Sequence, residues 1–447
     1  MTKGSIQKAS CLKQVMEYYK HFHAKKKFVP GKSLVQYAGR VYNGKDICVM
    51  ASAVLDFWLT YGEYAMQFEK LFARFHGVEN AILTNSGSSA NLLAVSALLA
   101  RNIKNGLKSG DEVITPALTF PTTVAPIVQN SLVPVFLDCE VDTLNIDVTY
   151  LKKALSARTK AVCVPHTLGN PCNMAAIVDF CRTHRLFLIE DTCDALGSTY
   201  GKKLVGTFGD LGTFSFYPAH HITLGEGGAV ITANPQLAQV LRCLRDWGRT
   251  CSTHCTSCKY ADKTGGHCAF RFFQKGSHAM PRDYDKRYVF SYIGYNLKPL
   301  DIQAALGIEQ LKKFPSFKRK RINNFNLLYK GLLRYREFLI LPRNERHAEP
   351  VWFAFPITVR KNKWFNRKEL VLFLERKKIE TRMIFAGNVL RQPGFRHIRH
   401  RSIGFLKNSD YVMEHSFFIG VYPGLGDTQI KYMLEQFNQF FKEKGLA

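Results

Sequence analysis

The stretch "TFSFYPAHHITLGEGGAV" (213–230) sets two imidazoles, His220 and His221, directly before a glycine-rich turn. Imidazole is the side chain best suited to moving protons near neutral pH, and a glycine-rich turn lets backbone approach a bound group closely. Two other segments carry related chemistry. "TNSGSSAN" (84–91) places Gly87, Ser88 and Ser89 where a strand turns into a helix. Backbone N–H groups and the helix dipole favour a phosphate there, and the hydroxyls add donors; taken alone, such serines are more simply helix caps. "LFLIEDTCDALGS" (186–198) ends an apolar run on Asp191. A carboxylate so placed is costly unless something cationic pairs with it. A protonated pyridine nitrogen would do so; an arginine, or a loop capped by the carboxylate, would serve equally well.

Twelve cysteines in a chain of this kind point to metal or redox chemistry only where they cluster. Seven (Cys11, Cys48, Cys139, Cys163, Cys172, Cys181, Cys243) are scattered, most in apolar surroundings where a buried thiol is ordinary. Cys251, Cys255, Cys258 and Cys268 fall together in "CSTHCTSCKYADKTGGHC" with His254 and His267 between them, a C-x3-C-x2-C-x9-C spacing. Four thiolates can hold an iron–sulfur centre or zinc, and an unliganded loop is the third reading.

These groups need a frame. The 447 residues are 46% apolar, enough for two domains with a large core. From about residue 65, short apolar runs ("NAILTNS", "DEVITPA", "LVPVFLD", "KAVCVPH", "LFLIEDT") alternate with amphipathic helices, the pattern of a mostly parallel sheet covered on both faces. Such sheets bind ligands beyond the carboxyl ends of their strands. Residues 1–60 read as an N-terminal helical arm, and 61–300 as the large domain, interrupted at 251–290 by a polar, Cys-rich insertion. Residues 301–447 read as a linking helix and a smaller α+β domain, and helix is expected over 231–250.

The net charge is +27, with clusters at 25–27, 318–321 ("KRKR") and 396–401 ("RHIRHR"). An anionic partner is one account of this charge, but no recognisable nucleic-acid module accompanies it, so a solvated basic surface is the expectation. No apolar run is long enough to span a membrane, and "MTKGSIQKASCLKQ" lacks the apolar core of a signal peptide, so a cytoplasmic location is expected.

Taken in order, "TNSGSSAN", "TPALTFPTTVAPI", "IEDTCDALGS", "SFYPAHHITLGEGGAV" and "GYNLKPLDIQAALG" resemble the sugar aminotransferase family of PLP-dependent enzymes, over roughly residues 50–445. The resemblance implies an α/β, fold-type I homodimer acting on nucleotide-linked ketosugars. It implies that Gly87, Ser88 and Ser215 contact the cofactor phosphate, that Phe120 stacks on its ring and that Asp191 keeps the ring nitrogen protonated. Asn296 would reach the phosphate of the neighbouring subunit. Two departures are informative. The family's Schiff-base lysine falls at His220, and its usual glutamine falls at Asp194. An imidazole forms no stable Schiff base, so the resemblance points to the branch that uses pyridoxamine phosphate (PMP) to remove oxygen from C3. His220 would be its proton-moving base, and His221 a loop hydrogen-bond donor. "FWLTYGEY", "PHTLGNP", "DWGRTC", "SYIGYNLK" and "TRMIFAGNVLRQP" resemble that branch too. It implies CDP-4-keto-6-deoxyglucose as substrate, on the way to the 3,6-dideoxysugars of lipopolysaccharide O-antigen. Arg382 or Arg391 would meet the pyrophosphate. A [2Fe–2S] cluster on Cys193, Cys251, Cys255 and Cys268 would be fed by a flavin or iron–sulfur reductase. The relatives' C-x-C after "DWGR" is absent, since Thr253 stands at its second position, so Cys258 remains an alternative to Cys255. The competing expectations are a cluster-free 3-dehydratase of a GDP-ketosugar, a sugar aminotransferase, and a basic zinc protein that binds nucleic acid.

Overall fold

The computed structural model of the chain describes residues 3–23, 27–250, 272 and 280–446. Two helices lead the chain, α1 (Lys3–Phe22) and α2 (Gly44–Asp56), followed by α3 (Glu63–His76). Strands and helices then alternate: β1 (Asn80–Thr84), α4 (Gly87–Leu98), β2 (Glu112–Pro116), α5 (Pro121–Gln129), β3 (Val133–Leu137), α6 (Leu151–Ala154), β4 (Thr159–Pro165), α7 (Met174–His184) and β5 (Phe187–Asp191). Short β6 (Thr199–Tyr200) and β7 (Lys203–Leu204) precede β8 (Leu211–Ser215), β9 (Gly228–Thr232) and α8 (Pro235–Arg245). The expected helix over 231–250 is therefore shorter. β9 runs on to Thr232, and the Asn234 side chain caps α8 by accepting the N–H groups of Gln236 and Leu237.

Eight strands make one sheet in the order β1-β9-β8-β5-β4-β2-β3-β13, where β13 is Arg401–Ser402. Only β9 runs against its neighbours β1 and β8; the other pairings are parallel. β2 ("EVITP") and β3 ("VPVFL") are buried at every residue, as continuous strands covered on both faces must be. The sheet order brings the carboxyl ends of β4, β5 and β8 side by side, and that edge holds the site.

The long helix α9 (Asp301–Leu332) packs on α2 and α3 and also on the smaller unit. Its buried stripe, Phe314, Phe317, Arg321, Phe325, Leu328 and Leu332, follows helical spacing. In the smaller unit, β10 (Leu339–Ile340), β12 (Ala354–Val359) and β14 (Ser416–Gly420) form an antiparallel sheet. Helices α10 (Arg367–Arg376) and α12 (Asp427–Glu443) flank a core that includes Phe355, Phe417, Phe437 and Phe441. A further strand, β11 (Ala348–Glu349), pairs with β6, and α11 (Lys407–His415) leads into β14.

The chain crosses the expected domain divisions in two places. Val35 of the N-terminal arm bridges to Ile379 of the smaller unit, and Arg401–Ser402 adds an edge strand beside β3. Glu112 of β2 holds that edge through the Arg401 guanidinium at 2.8 and 3.0 Å.

Five of the seven scattered thiols, Cys139, Cys163, Cys172, Cys181 and Cys243, are buried as ordinary core, whereas Cys11 is exposed and Cys48 half-buried; burial pushes Cys181 up to about 12 and Cys243 to about 11. Cys251, Cys255, Cys258 and Cys268 lie outside the described residues. Among the described residues no helix is long and apolar enough to cross a membrane.

Candidate active site

A cavity of about 420 Å³ opens over the ends of β4, β5 and β8. Its lining includes Gly87, Ser88, Phe120, Asp191, Cys193, Asp194, Ser215, His220 and Arg382, so nine of the residues singled out in the sequence converge there. The far wall comes from the smaller unit, with Phe353, Met383, Phe385 and Phe418.

Asp191 ends β5, 6% exposed, and its carboxylate accepts three hydrogen bonds from neutral donors. Asn91 Nδ2 donates to Oδ2 at 2.8 Å, Thr123 Oγ1 to the same oxygen at 2.7 Å, and the Cys193 N–H to Oδ1 at 3.2 Å. Thr213 in turn donates to Asn91 Oδ1 at 2.5 Å, which fixes the Asn91 amide with its NH2 toward the acid. Among the described residues no arginine pairs with it; dipoles hold the charge there, and a cation arriving in the cavity would complete it.

The anion end is built by close approach. Ser86, rather than Ser88 or Ser89, caps α4: its backbone is extended and its hydroxyl accepts the Ser89 N–H at 3.1 Å. This leaves Ser88 exposed on the cavity wall at the positive end of a 12-residue helix. A Cβ on Gly87 would fall 2.4 Å from the Ser215 Cβ, and one on Gly228 would fall 2.3 Å from the Ser86 carbonyl oxygen. Glycine at both positions lets the helix start settle directly on the end of β8. Phe120, the residue before α5, is 51% exposed and presents its ring to the cavity, edge-on to Phe385 at 5.9 Å.

The two histidines take different environments. His221 is 2% exposed; its Nε2–H donates to the Val351 carbonyl at 2.7 Å, as expected of a loop donor. Burial, helped by the Arg321 cation, pushes its pKa well below the ordinary histidine range. His220 faces the cavity, with Nδ1 3.4 Å from Asp194 Oδ1 and its ring 5.3 Å from that of Phe353. The Asp194 contact is ionic in distance but off-line, since Nδ1 makes no hydrogen bond. Nε2 is left to act on whatever occupies the cavity.

His166, in "PHTLGNP", lies beside them in the lining. Its Nδ1 accepts the Cys172 N–H at 3.0 Å, so Nε2 must donate to Glu190 at 3.1 Å. Glu190 also takes the N–H groups of Gly206, Phe208 and Gly209, which pins this floor of the site.

Of the remaining candidates, Arg382 lines the cavity with its guanidinium 4.4 Å over the Tyr37 ring and paired to Glu380. Arg391 does not line it; both its Nε and Nη2 are held by Asp410, at 2.8 and 2.5 Å. Asn296 also lies outside the lining, exposed on a segment whose Leu297 carbonyl takes the Asn85 N–H. Cys193 lines the cavity, where burial, with the Asp191 and Asp194 charges, raises its thiol well above the ordinary value.

Sequence reasoning missed Tyr37, Thr123, Tyr217, Phe353 and Phe418. Tyr217, in "SFYPAHH", and Thr123, in "TPALTFPTTVAPI", stood in motifs already singled out, and the other three did not.

Among the described residues no lysine lines this cavity. The arrangement suits a phosphate-bearing cationic aromatic ring held without a covalent bond: an anion cradle at one end, a dipole-held carboxylate at the other, and an aromatic face between them.

The sequence profile of the DegT/DnrJ/EryC1/StrS aminotransferase family matches residues 42–438, nearly the whole chain. The chain belongs to that family. It is 46% identical over 429 residues to the lipopolysaccharide biosynthesis protein RfbH of Salmonella typhimurium, covering 96% of each chain. It is 45% identical over 415 residues to dTDP-4-dehydro-2,6-dideoxy-D-glucose 3-dehydratase of Saccharopolyspora spinosa, covering 92% of this chain and 88% of that one. Among solved structures it resembles Escherichia coli GDP-4-keto-6-deoxy-D-mannose-3-dehydratase with bound hydrated PLP, at a TM-score of 0.81 and 31% identity, covering 90% of this chain and 98% of that one. The PLP-dependent aminotransferase fold and the family expected from the motifs are thus the observed ones.

Proposed function

We propose that this protein is a PMP-dependent 3-dehydratase of a nucleotide-linked 4-keto-6-deoxyhexose, with CDP-4-keto-6-deoxyglucose as substrate, in 3,6-dideoxysugar synthesis for lipopolysaccharide. The observation that carries the reading is His220 on a cavity wall that also carries Gly87, Ser88, Phe120, Asp191 and Ser215 and, among the described residues, no lysine. The relatives' own names, two of them 3-dehydratases of nucleotide sugars, support the reaction class.

When bound, PMP supplies an amine that can join the ketone carbon and a ring that takes up electrons. The chain's residues do the rest. Gly87, Ser88 and Ser215 hold the phosphate, Phe120 covers the ring and Asp191 keeps its nitrogen protonated. Asp194 stands beside His220 Nδ1, so Nε2 is the nitrogen that moves the proton at the cofactor's C4′ carbon. Phe353, Phe385 and Phe418 exclude water from this end. Of the two candidate arginines, Arg382, on the cavity wall, meets the sugar nucleotide's pyrophosphate. Asn296, exposed beside the phosphate turn, serves the site of a second copy in a homodimer.

Overall, the C3 carbon gives up its hydroxyl as water and takes two electrons and two protons. A [2Fe–2S] cluster, which Cys193, Cys251, Cys255 and Cys268 would hold, would supply those electrons one at a time from a flavin or iron–sulfur reductase. Cys193 at the cavity wall supports this route, and so does the C-x3-C-x2-C-x9-C spacing of the clustered cysteines. Anaerobic purification with iron and sulfide assays and EPR of the reduced protein tests the cluster. Turnover of CDP-, GDP- and dTDP-linked 4-keto-6-deoxyhexoses tests the substrate. Iron-free protein that turns over a GDP-ketosugar with glutamate alone would replace this reading with the cluster-free one.

A further inference from the structure

Arg321, inside the "KRKR" run, is the largest fully buried side chain of the described residues, at 1% exposure. Its neighbours on the buried stripe of α9 are Phe317, Phe325 and Leu328. Among the described residues no carboxylate lies within salt-bridge distance of it, and its Nε has no hydrogen-bond partner. Burial lowers its pKa to about 9, with only the charge of Asp194 acting the other way, so it stays cationic at neutral pH. A buried cation without a paired acid is costly, and apolar replacements for buried ions are often neutral or stabilising. Packing therefore does not explain an arginine here.

Its hydrogen bonds do. Nη2 donates to the His220 carbonyl at 3.1 Å; Nη1 donates to the Phe353 carbonyl at 2.9 Å and reaches that of Trp352 at 3.5 Å. The next residue of the same turn, His221, ties its own side chain to Val351. The histidine turn is thus fastened twice to one short segment, Val351–Phe353, that leads into β12.

We propose that Arg321 is a positioning residue: its guanidinium locks the turn carrying His220 to the Trp352–Phe353 segment, so that the imidazole and the Phe353 ring face the cavity as one rigid unit. The inference rests on the reading of His220 as the proton-moving group. The rigid two-armed fork of arginine suits this task, because it reaches carbonyls of two chain segments at once; lysine offers a single charged point.

The test uses holoenzyme variants R321M, R321K and, in parallel, H220N. Turnover, KM for the nucleotide ketosugar, PMP affinity by absorbance titration and Tm are measured for each. A loosened turn costs rate without costing binding. R321M is expected to lose about 10²-fold in kcat, with KM and PMP affinity within about threefold of wild type. R321K, which keeps the charge and one donor arm, should recover part of that loss. Wild-type kcat in both variants overturns the proposal. So does a fall in kcat matched by equal losses in PMP affinity and KM, which marks a merely structural role. If R321M does not fold, R321K decides: reduced kcat at wild-type PMP affinity supports the clamp, and unchanged kcat overturns it. An active H220N defeats the functional reading itself, whereas inactive H220N beside unimpaired R321 variants defeats only the clamp.

Discussion

The fixed groups of the cavity and its histidine turn are built on different principles. Asp191 accepts three hydrogen bonds from neutral donors, and the α4 turn is seated on Ser215 through a glycine that tolerates no Cβ. At the turn after β8, His220 Nδ1 has only an off-line carboxylate 3.4 Å away, and Nε2 makes no hydrogen bond among the described residues. The first groups are held in place by the chain itself, and the second keeps a ring nitrogen free. A group that must only be held is best served by preorganised dipoles. A group that must pick up and release a proton needs an unsaturated nitrogen.

Mutations can break this contrast from either side. H220N should abolish sugar dehydration, a loss of at least about 10³-fold in kcat, while PMP affinity measured by absorbance stays near wild type. D191N should do the reverse. If Asp191 faces the ring nitrogen as proposed, removing its charge should weaken PMP binding about 10- to 100-fold, the size of a charge-assisted hydrogen bond. G87A should sharpen the comparison at the anion end. Its Cβ has no room beside Ser215, so PMP affinity should fall about tenfold and stability by about 1–3 kcal/mol, read by titration and urea unfolding.

A further effect, on stability rather than activity, concerns a histidine held neutral away from the chemistry. His76 is buried among Phe72, Phe75 and Phe214, and burial lowers its pKa to about 4. The unfolded chain binds a proton near pH 6.5 that the folded chain refuses. Stability is therefore complete above about 6.5 and falls by about 1.4 kcal/mol per pH unit from there down to about 4. Urea unfolding at pH 7 and pH 5 checks this, and H76F should flatten the dependence.

Much of this was legible because strand–helix alternation and short chemical motifs are local. The β5 and β8 ends, the α4 turn and the lysine-to-histidine exchange all sit within continuous stretches. The walls are not local: Tyr37 arrives from the N-terminal arm and Phe353 and Phe418 from the smaller unit, and neither their types nor their spacing mark them. "KRKR" shows the other kind of miss. Four adjacent cations suggest solvent, yet Lys318 Nζ donates to the Gly197 carbonyl at 2.8 Å and Arg321 lies in the core. The signal was present in the helical spacing of Phe314, Phe317, Arg321, Phe325 and Leu328, which puts the arginine on the apolar face.

The most direct test of the account is whether the cofactor ever becomes attached to the chain. Protein incubated with PLP and borohydride, digested and mapped by mass spectrometry, should show no stoichiometric adduct on any cavity residue, while H220K treated alike should carry one at position 220. A stoichiometric adduct on a cavity side chain of the wild-type protein would contradict it.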